Sequence, residues 1–383
     1  PITLPVASPP FAAVGGELKT TACVSSGHLA WLSQHIGDTE NLETLAMLER
    51  TADTLTALQR ANPRAIVSDA HPGYLSRGWA ARRAAATGAA HLLVQHHHAH
   101  LASLLAEHGI APDAQVLGVV FDGTGYGEDA TVWGGELLLG SYAGVRRVGH
   151  LRPVLLPGGD AAVRHPSRSA LAHLVAADLP TARSAPALAM GEASSALVLR
   201  MIATGSHCTS TSSVGRLFDA ASSLLGIRHE ADYEGQAAIE LEAAAARARA
   251  GVPARIPDSA PGARREGDMV IIDPTSMLAA ASSAAAAGAD VPQAALAFHE
   301  ALADAVAHAV GLVAQEHEFA AVGLTGGVFA NAILSLGCLE RLSSARLPVL
   351  THGVVPPNDG GLALGQVAVA AAGGAREALP QRP

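Results

Sequence analysis

The sequence predicts a layered α/β protein of two lobes, and three observations lead there. A chain of 383 residues with 49% in the hydrophobic set is long enough for a core that divides in two. Aromatic residues make up only 3%, so the core must be filled by small aliphatics on closely packed helices and strands. Two strand–turn–strand patterns each precede a run of helices.

In chain order, residues 20–24 and 28–33 read as short strands around a Ser25-Ser26-Gly27 turn. Helical spacing follows over 42–61, a short strand over 65–68, an Ala- and Arg-rich helix over 79–87, a strand over 92–95 and a helix over 97–108. The second hairpin has an apolar strand at 116–121, a Gly-rich turn at 122–129 and a return strand at 131–140. Two lobes opening alike suggest an internally duplicated, actin-like ATPase fold of the actin and sugar-kinase type, an analogy of fold alone. Residues 180–187 and 251–267 read as surface loops around a helical middle. Residues 294–315 form a long amphipathic helix, 320–324 a strand leading to a helix from Phe329, and 362–372 a closing apolar helix. The expected division is an N-terminal lobe at 18–110 and a C-terminal lobe at 111–375 with an insertion around 160–268. Residues 1–17 and 376–383 are expected as flexible ends.

A net charge of -9 argues against a nucleic-acid partner, whose footprint is a basic excess. Cys23, Cys208 and Cys338 form no C-x-x-C pair, so no disulfide framework or thiolate zinc site is expected. No transmembrane helix and no signal peptide are expected, which points to the cytoplasm.

The densest chemical signal is Gln95-His96-His97-His98-Ala99-His100. Residues four apart share a helix face, so His96 and His100 can offer two imidazoles to one divalent cation; a polar helix start is the plainer alternative. Two histidines do not complete a site, and Asp122 and Asp359, both beside glycines, are the best-placed carboxylates. Asp122-Gly123-Thr124-Gly125 precedes a strand rather than a helix, which excludes a dinucleotide fingerprint and leaves a phosphate cradle or a flexible hairpin loop. Gly326 and Gly327, between strand and helix, can aim N–H donors at phosphate or ribose, or simply make a tight helix entry. Asp219 and Glu234 add carboxylates suited to ribose hydroxyls.

Nine segments in order resemble HypF, the hydrogenase-maturation carbamoyltransferase family. They are Asp69-Ala70-His71-Pro72-Gly73-Tyr74, the Gln95 to His100 run, Asp122 to Glu128, Trp133-Gly134-Gly135-Glu136, Leu156-Pro157-Gly158-Gly159-Asp160, Gly215 to Asp219, Tyr233 to Gln236, Thr325 to Asn331 and Pro357 to Gly361. The resemblance covers about residues 18 to 373 and is to the C-terminal transfer domain. It implies an actin-like ATPase fold, with His96, His100, Asp359 and Asp122 as metal ligands. It puts adenosine near Asp219, Glu234 and Asn331, and phosphates near Gly123, Thr124, Gly125, Gly326 and Gly327. The implied reaction moves a carbamoyl group from carbamoyl-adenylate, or from carbamoyl phosphate with ATP. Its cofactor is a transition metal (Fe or Zn), or Mg with ATP; Lys19 and His97 would attend the carbamoyl group and leaving charge.

The departures also matter. None of the family's upstream motifs is present, which suggests a separate carbamoyl-adenylate-forming protein. His165-Pro166-Ser167-Arg168 lacks the Trp of the family's Pro-Trp-Arg. On those grounds a small-molecule hydroxyl is slightly favoured as acceptor over the C-terminal cysteine of a HypE-like protein. A phosphotransferase or an ATP-binding regulatory module on the same fold is the alternative from another class.

Overall fold

The computed structural model describes residues 1–249 and 262–378. Its first sheet contains β1 (Ile2–Ala13), β2 (Cys23–Leu32), β3 (Ala65–Asp69) and β4 (Ala90–Val94). The second is built on an antiparallel meander of β5 (Val116–Tyr126), β6 (Val132–Ser141) and β7 (Gly144–Leu151). Beside it, β8 (Val154–Pro157) pairs with β9 (Cys208–Thr211), which touches the start of β6. The sheet is extended at β7 by β10 (Ala263–Glu266) and β11 (Met269–Ile272) and, in parallel at β5, by β12 (Ala321–Thr325) and β13 (Val349–Thr351). A final strand, β14 (Arg376–Glu377), returns to the first sheet, whose order is β14-β4-β3-β1-β2.

Several expectations need correction. Residues 1–17 are not a flexible end, because β1 lies inside the first sheet between β3 and β2. Pro5, Pro9 and Pro10 hid it: they cannot donate to a ladder, and the β1–β2 register shifts in that stretch. Ser25-Ser26-Gly27 is not a turn; β2 runs straight through it, and Gly27, with φ 58°, faces Ser8 on the edge strand. β5 likewise continues to Tyr126 through a register shift between Phe121 and Gly125, which moves the turn to 127–131. Residues 185–190 form a short helix, Ala185–Met190. Of the expected loop at 251–267, residues 251–261 lie outside the described residues and 263–266 are strand; of the expected flexible end, 379–383 lie outside and 376–377 are strand. Gly327–Ala330 is a 3-10 turn, so the helix expected from Phe329 begins at Ala332.

Two helices join the lobes. His96–Glu107, N-capped by the Gln95 side chain, is buried from His96 to Ala106. Leu362–Ala371 crosses it so closely that a Cβ on Gly365 would sit 1.8 Å from the Ala99 carbonyl oxygen. The same helix supplies Leu362, Leu364 and Val367 to a core shared with Ala13, Val67 and Val94 of the first sheet. The C-terminal lobe is therefore not one continuous 111–375 segment. Val291–Ala314 is long and apolar enough to cross a membrane by length and composition, but Phe298, Leu302, Val306 and Val310 fill the core of the second lobe.

Candidate metal centre

The four residues His96, His100, Asp122 and Asp359 converge where the lobes meet, their ligand atoms all within 4.8 Å of one another. The helix puts both histidines on one face, the β5 irregularity turns Asp122 toward them, and Asp359 enters from the turn before the Leu362–Ala371 helix. His96 Nε2 lies 3.1 Å from Asp122 Oδ2, and His100 Nε2 is 3.5 Å from both Asp122 Oδ2 and Asp359 Oδ1. Ligands around a tetrahedral cation with bonds of about 2.1 Å sit roughly 3.4 Å apart, close to the two 3.5 Å separations, while the 3.1 Å His96–Asp122 contact is itself a hydrogen bond. Among the described residues, His100 Nε2 is buried with no hydrogen-bond partner, which fits the same donor role.

Electrostatics agree with the geometry. Burial disfavours a charged His96, yet Asp69, Asp359 and Asp122 outweigh it and hold its pKa well above the ordinary imidazole range. His100 is raised too: burial opposes charge, and Asp122 and Asp359 favour it. Asp122 is held well below the carboxylate range, with burial overcome by His100 and His96. A cation between the four donors would replace the protons that the nearby carboxylates otherwise favour on the two imidazoles.

Asp69, which the site reading did not include, is fully buried at the end of β3. It accepts from His96 Nδ1 at 2.7 Å and from the His71 backbone N–H at 2.8 Å. It fixes the His96 ring so that Nε2 faces the cluster. Its signal was a strand ending in Asp69-Ala70-His71, but spacing alone does not reveal a partner 27 positions away. His97 adjoins His96, and a Cβ on Gly125 would fall 2.4 Å from its ring, so Gly125 serves imidazole packing. Gln95 Nε2 faces His97 Nδ1 at 3.2 Å, leaving the buried Nε2 without a partner. Burial and the neighbouring His96 keep this ring neutral. His98 is tied by Nε2 to the Ser141 carbonyl.

The residues expected to bind nucleotide have these surroundings in the structure. Gly326 N–H donates to Pro357 O at 3.0 Å and Gly327 N–H to Asp122 Oδ1 at 3.2 Å, so both amides have protein acceptors in this structure. Gly123 O accepts from Ser213 Oγ, while Thr124 is exposed. Asp219 is 3% exposed, sits 3.1 Å from Arg216, and burial pushes its carboxyl up to about 6. Asn331 has both ends of its amide engaged, accepting from Leu334 N–H to cap a helix and meeting His299 Nε2 at 3.0 Å. Lys19 and Glu234 form an ion pair with each other near the cluster.

A buried imidazole–carboxylate cluster lies where two sheet-and-helix lobes meet, so the chain is a two-lobed α/β protein with a candidate metal centre. The HypF Kae1-like domain matches residues 7–107, and the carbamoyltransferase Kae1-like domain, second subdomain, matches residues 118–366; the chain belongs to the HypF carbamoyltransferase family. Carbamoyltransferase HypF2 of Cupriavidus necator is 38% identical over 96% of this chain and 47% of its own length. Carbamoyltransferase HypF of Rhodobacter capsulatus is 39% identical over 97% of this chain and 49% of its own. The chain thus spans about half the length of these two curated relatives. A carbamoyltransferase HypF homolog of C. necator is 37% identical over 96% of this chain and 94% of its own. The crystal structure of full-length HypF in the phosphate- and nucleotide-bound form superimposes with a TM-score of 0.86 at 31% identity, covering 97% of this chain and 56% of that one.

Proposed function

We propose that this chain carries a carbamoyl group from carbamoyl-adenylate to a nucleophilic acceptor, with a divalent cation at His96, His100, Asp122 and Asp359. The observation that carries the proposal is the convergence of these four side chains in a chain that matches HypF domains from residue 7 to 366. Two imidazoles with two carboxylates suit Zn or Fe better than Mg. A cation bound there would supply Lewis acidity at the carbamoyl oxygen or the acceptor.

The protein's own groups have distinct tasks. Asp69 keeps His96 in orientation. The neutral His97, its Nδ1 facing Gln95, presents an unpaired Nε2–H suited to a carbamoyl oxygen. Lys19 can offset charge on the leaving phosphate once it leaves Glu234, which frees that carboxylate for ribose. In the transfer, the acceptor's sulfur or oxygen bonds to the carbamoyl carbon, the carbon–phosphate oxygen bond breaks, AMP departs with the electron pair, and the acceptor proton passes to water.

For the acceptor, the missing Trp at His165 to Arg168 leans toward a small-molecule hydroxyl. Relatives named HypF align over nearly the whole chain, however, and they support the C-terminal cysteine of a HypE-like protein; that is the acceptor we propose. Mass spectrometry of the protein with ATP, carbamoyl-adenylate, candidate small-molecule hydroxyls and a HypE-type partner decides it. AMP and a carbamoyl adduct on the terminal cysteine are expected. Transfer only to small-molecule hydroxyls would move the acceptor, and ADP as product would point to phosphoryl transfer.

A further inference from the structure

Glu107 closes the helix that carries His96 and His100, where the negative end of the helix dipole disfavours a carboxylate. Its side chain is nevertheless 7% exposed and fully engaged. Oε1 accepts from Gly353 N–H at 2.6 Å and Val354 N–H at 2.7 Å, and Oε2 from Val355 N–H at 3.2 Å and His352 Nδ1 at 2.9 Å. His352 Nε2 in turn lies 2.9 Å from Thr325 Oγ1, which is 3.2 Å from the His100 carbonyl oxygen. The segment so held leads to Asp359, and Thr325 leads into Gly326, whose N–H returns to Pro357 O. One carboxylate therefore ties the histidine helix directly to the segment leading to Asp359 and, through His352, to the end of β12.

We infer that Glu107 is a positioning residue: by clamping the 352–355 backbone to the end of the histidine helix, it holds Asp359 within ligand range of His96 and His100. The inference rests on the proposed cation site. A mere loop anchor would change stability alone, whereas a clamp sets the distance between two ligands and so sets cation affinity and ligand geometry in a folded protein. The conservative amide keeps an acceptor oxygen for part of the backbone set but loses the charge that strengthens all four bonds.

Cobalt(II) titration of the full chain, followed by visible absorption and by competition with a chelator, tests this on wild type, Glu107→Gln, Glu107→Ala and His96→Ala/His100→Ala. Wild type is expected to bind one cobalt per chain and the double histidine variant none. Affinity should fall about 10-fold in Glu107→Gln and about 100-fold in Glu107→Ala, with an altered cobalt band. If Glu107→Ala does not fold, Glu107→Gln decides. A folded Glu107 variant with wild-type affinity and spectrum would overturn the clamp while leaving the cation site standing. Wild type that takes up no cobalt, or a double variant that binds it equally well, would remove the cation site and the clamp together.

Discussion

Asp69 and the histidine it orients illustrate how far single residues can be read. The i, i+4 pair His96 and His100 was legible because helix geometry converts spacing into a shared face. Asp69 was not, since its role arises only when the end of β3 is brought beside the His96–Glu107 helix. Asp69→Asn replaces a charged acceptor with an amide that can also present N–H to His96 Nδ1, so cation affinity should drop about 10- to 100-fold. Chelator competition on the folded variant measures this, and unchanged affinity would mean that His96 is oriented by other contacts. Asn331 can be read in two ways. An Asn after two glycines invites a ligand role, yet an Asn directly before a helix is equally an N-cap, and the cap is what the structure contains.

Among elements, strands and helices with clear periodicity were legible, and those interrupted by Pro or Gly were not. β1 was lost to its prolines, and β5 was cut short at a bulge whose purpose is to aim Asp122. Gly326 combines φ 98° with a would-be Cβ only 2.2 Å from Phe121 O, so any side chain there strains the β12 exit and reports on folding rather than phosphate approach. The helix Pro166–Ala176 carries a different signature. His173 is 2% exposed with neither ring nitrogen paired, and burial pushes its pKa from 6.5 to about 4. The unfolded chain therefore binds this proton first. Stability is intact above about pH 6.5 and is lost as pH falls toward 4, by up to about 3 kcal/mol. His173→Leu should flatten that acid slope in urea unfolding between pH 7.5 and 4.5; an unchanged slope would assign acid sensitivity to other groups.

At the scale of the whole molecule, composition foretold two α/β lobes, and the lobes are there, although the first of the two strand–turn–strand patterns is the single strand β2. Their boundary could not be read, because Leu362–Ala371 and β14 return to the first sheet and pairing across some 350 positions leaves no local mark. That return is also what seats Asp359 opposite the histidine helix, so fold closure and site assembly are one event. Anomalous X-ray scattering from crystals grown with cobalt and AMP tests this most directly. One peak is expected about 2.0–2.2 Å from His96 Nε2, His100 Nε2 and carboxylate oxygens of Asp122 and Asp359, with nucleotide density beside it. A cobalt peak elsewhere, with these four side chains arranged as they are in the present structure, would contradict a cation-centred transfer site.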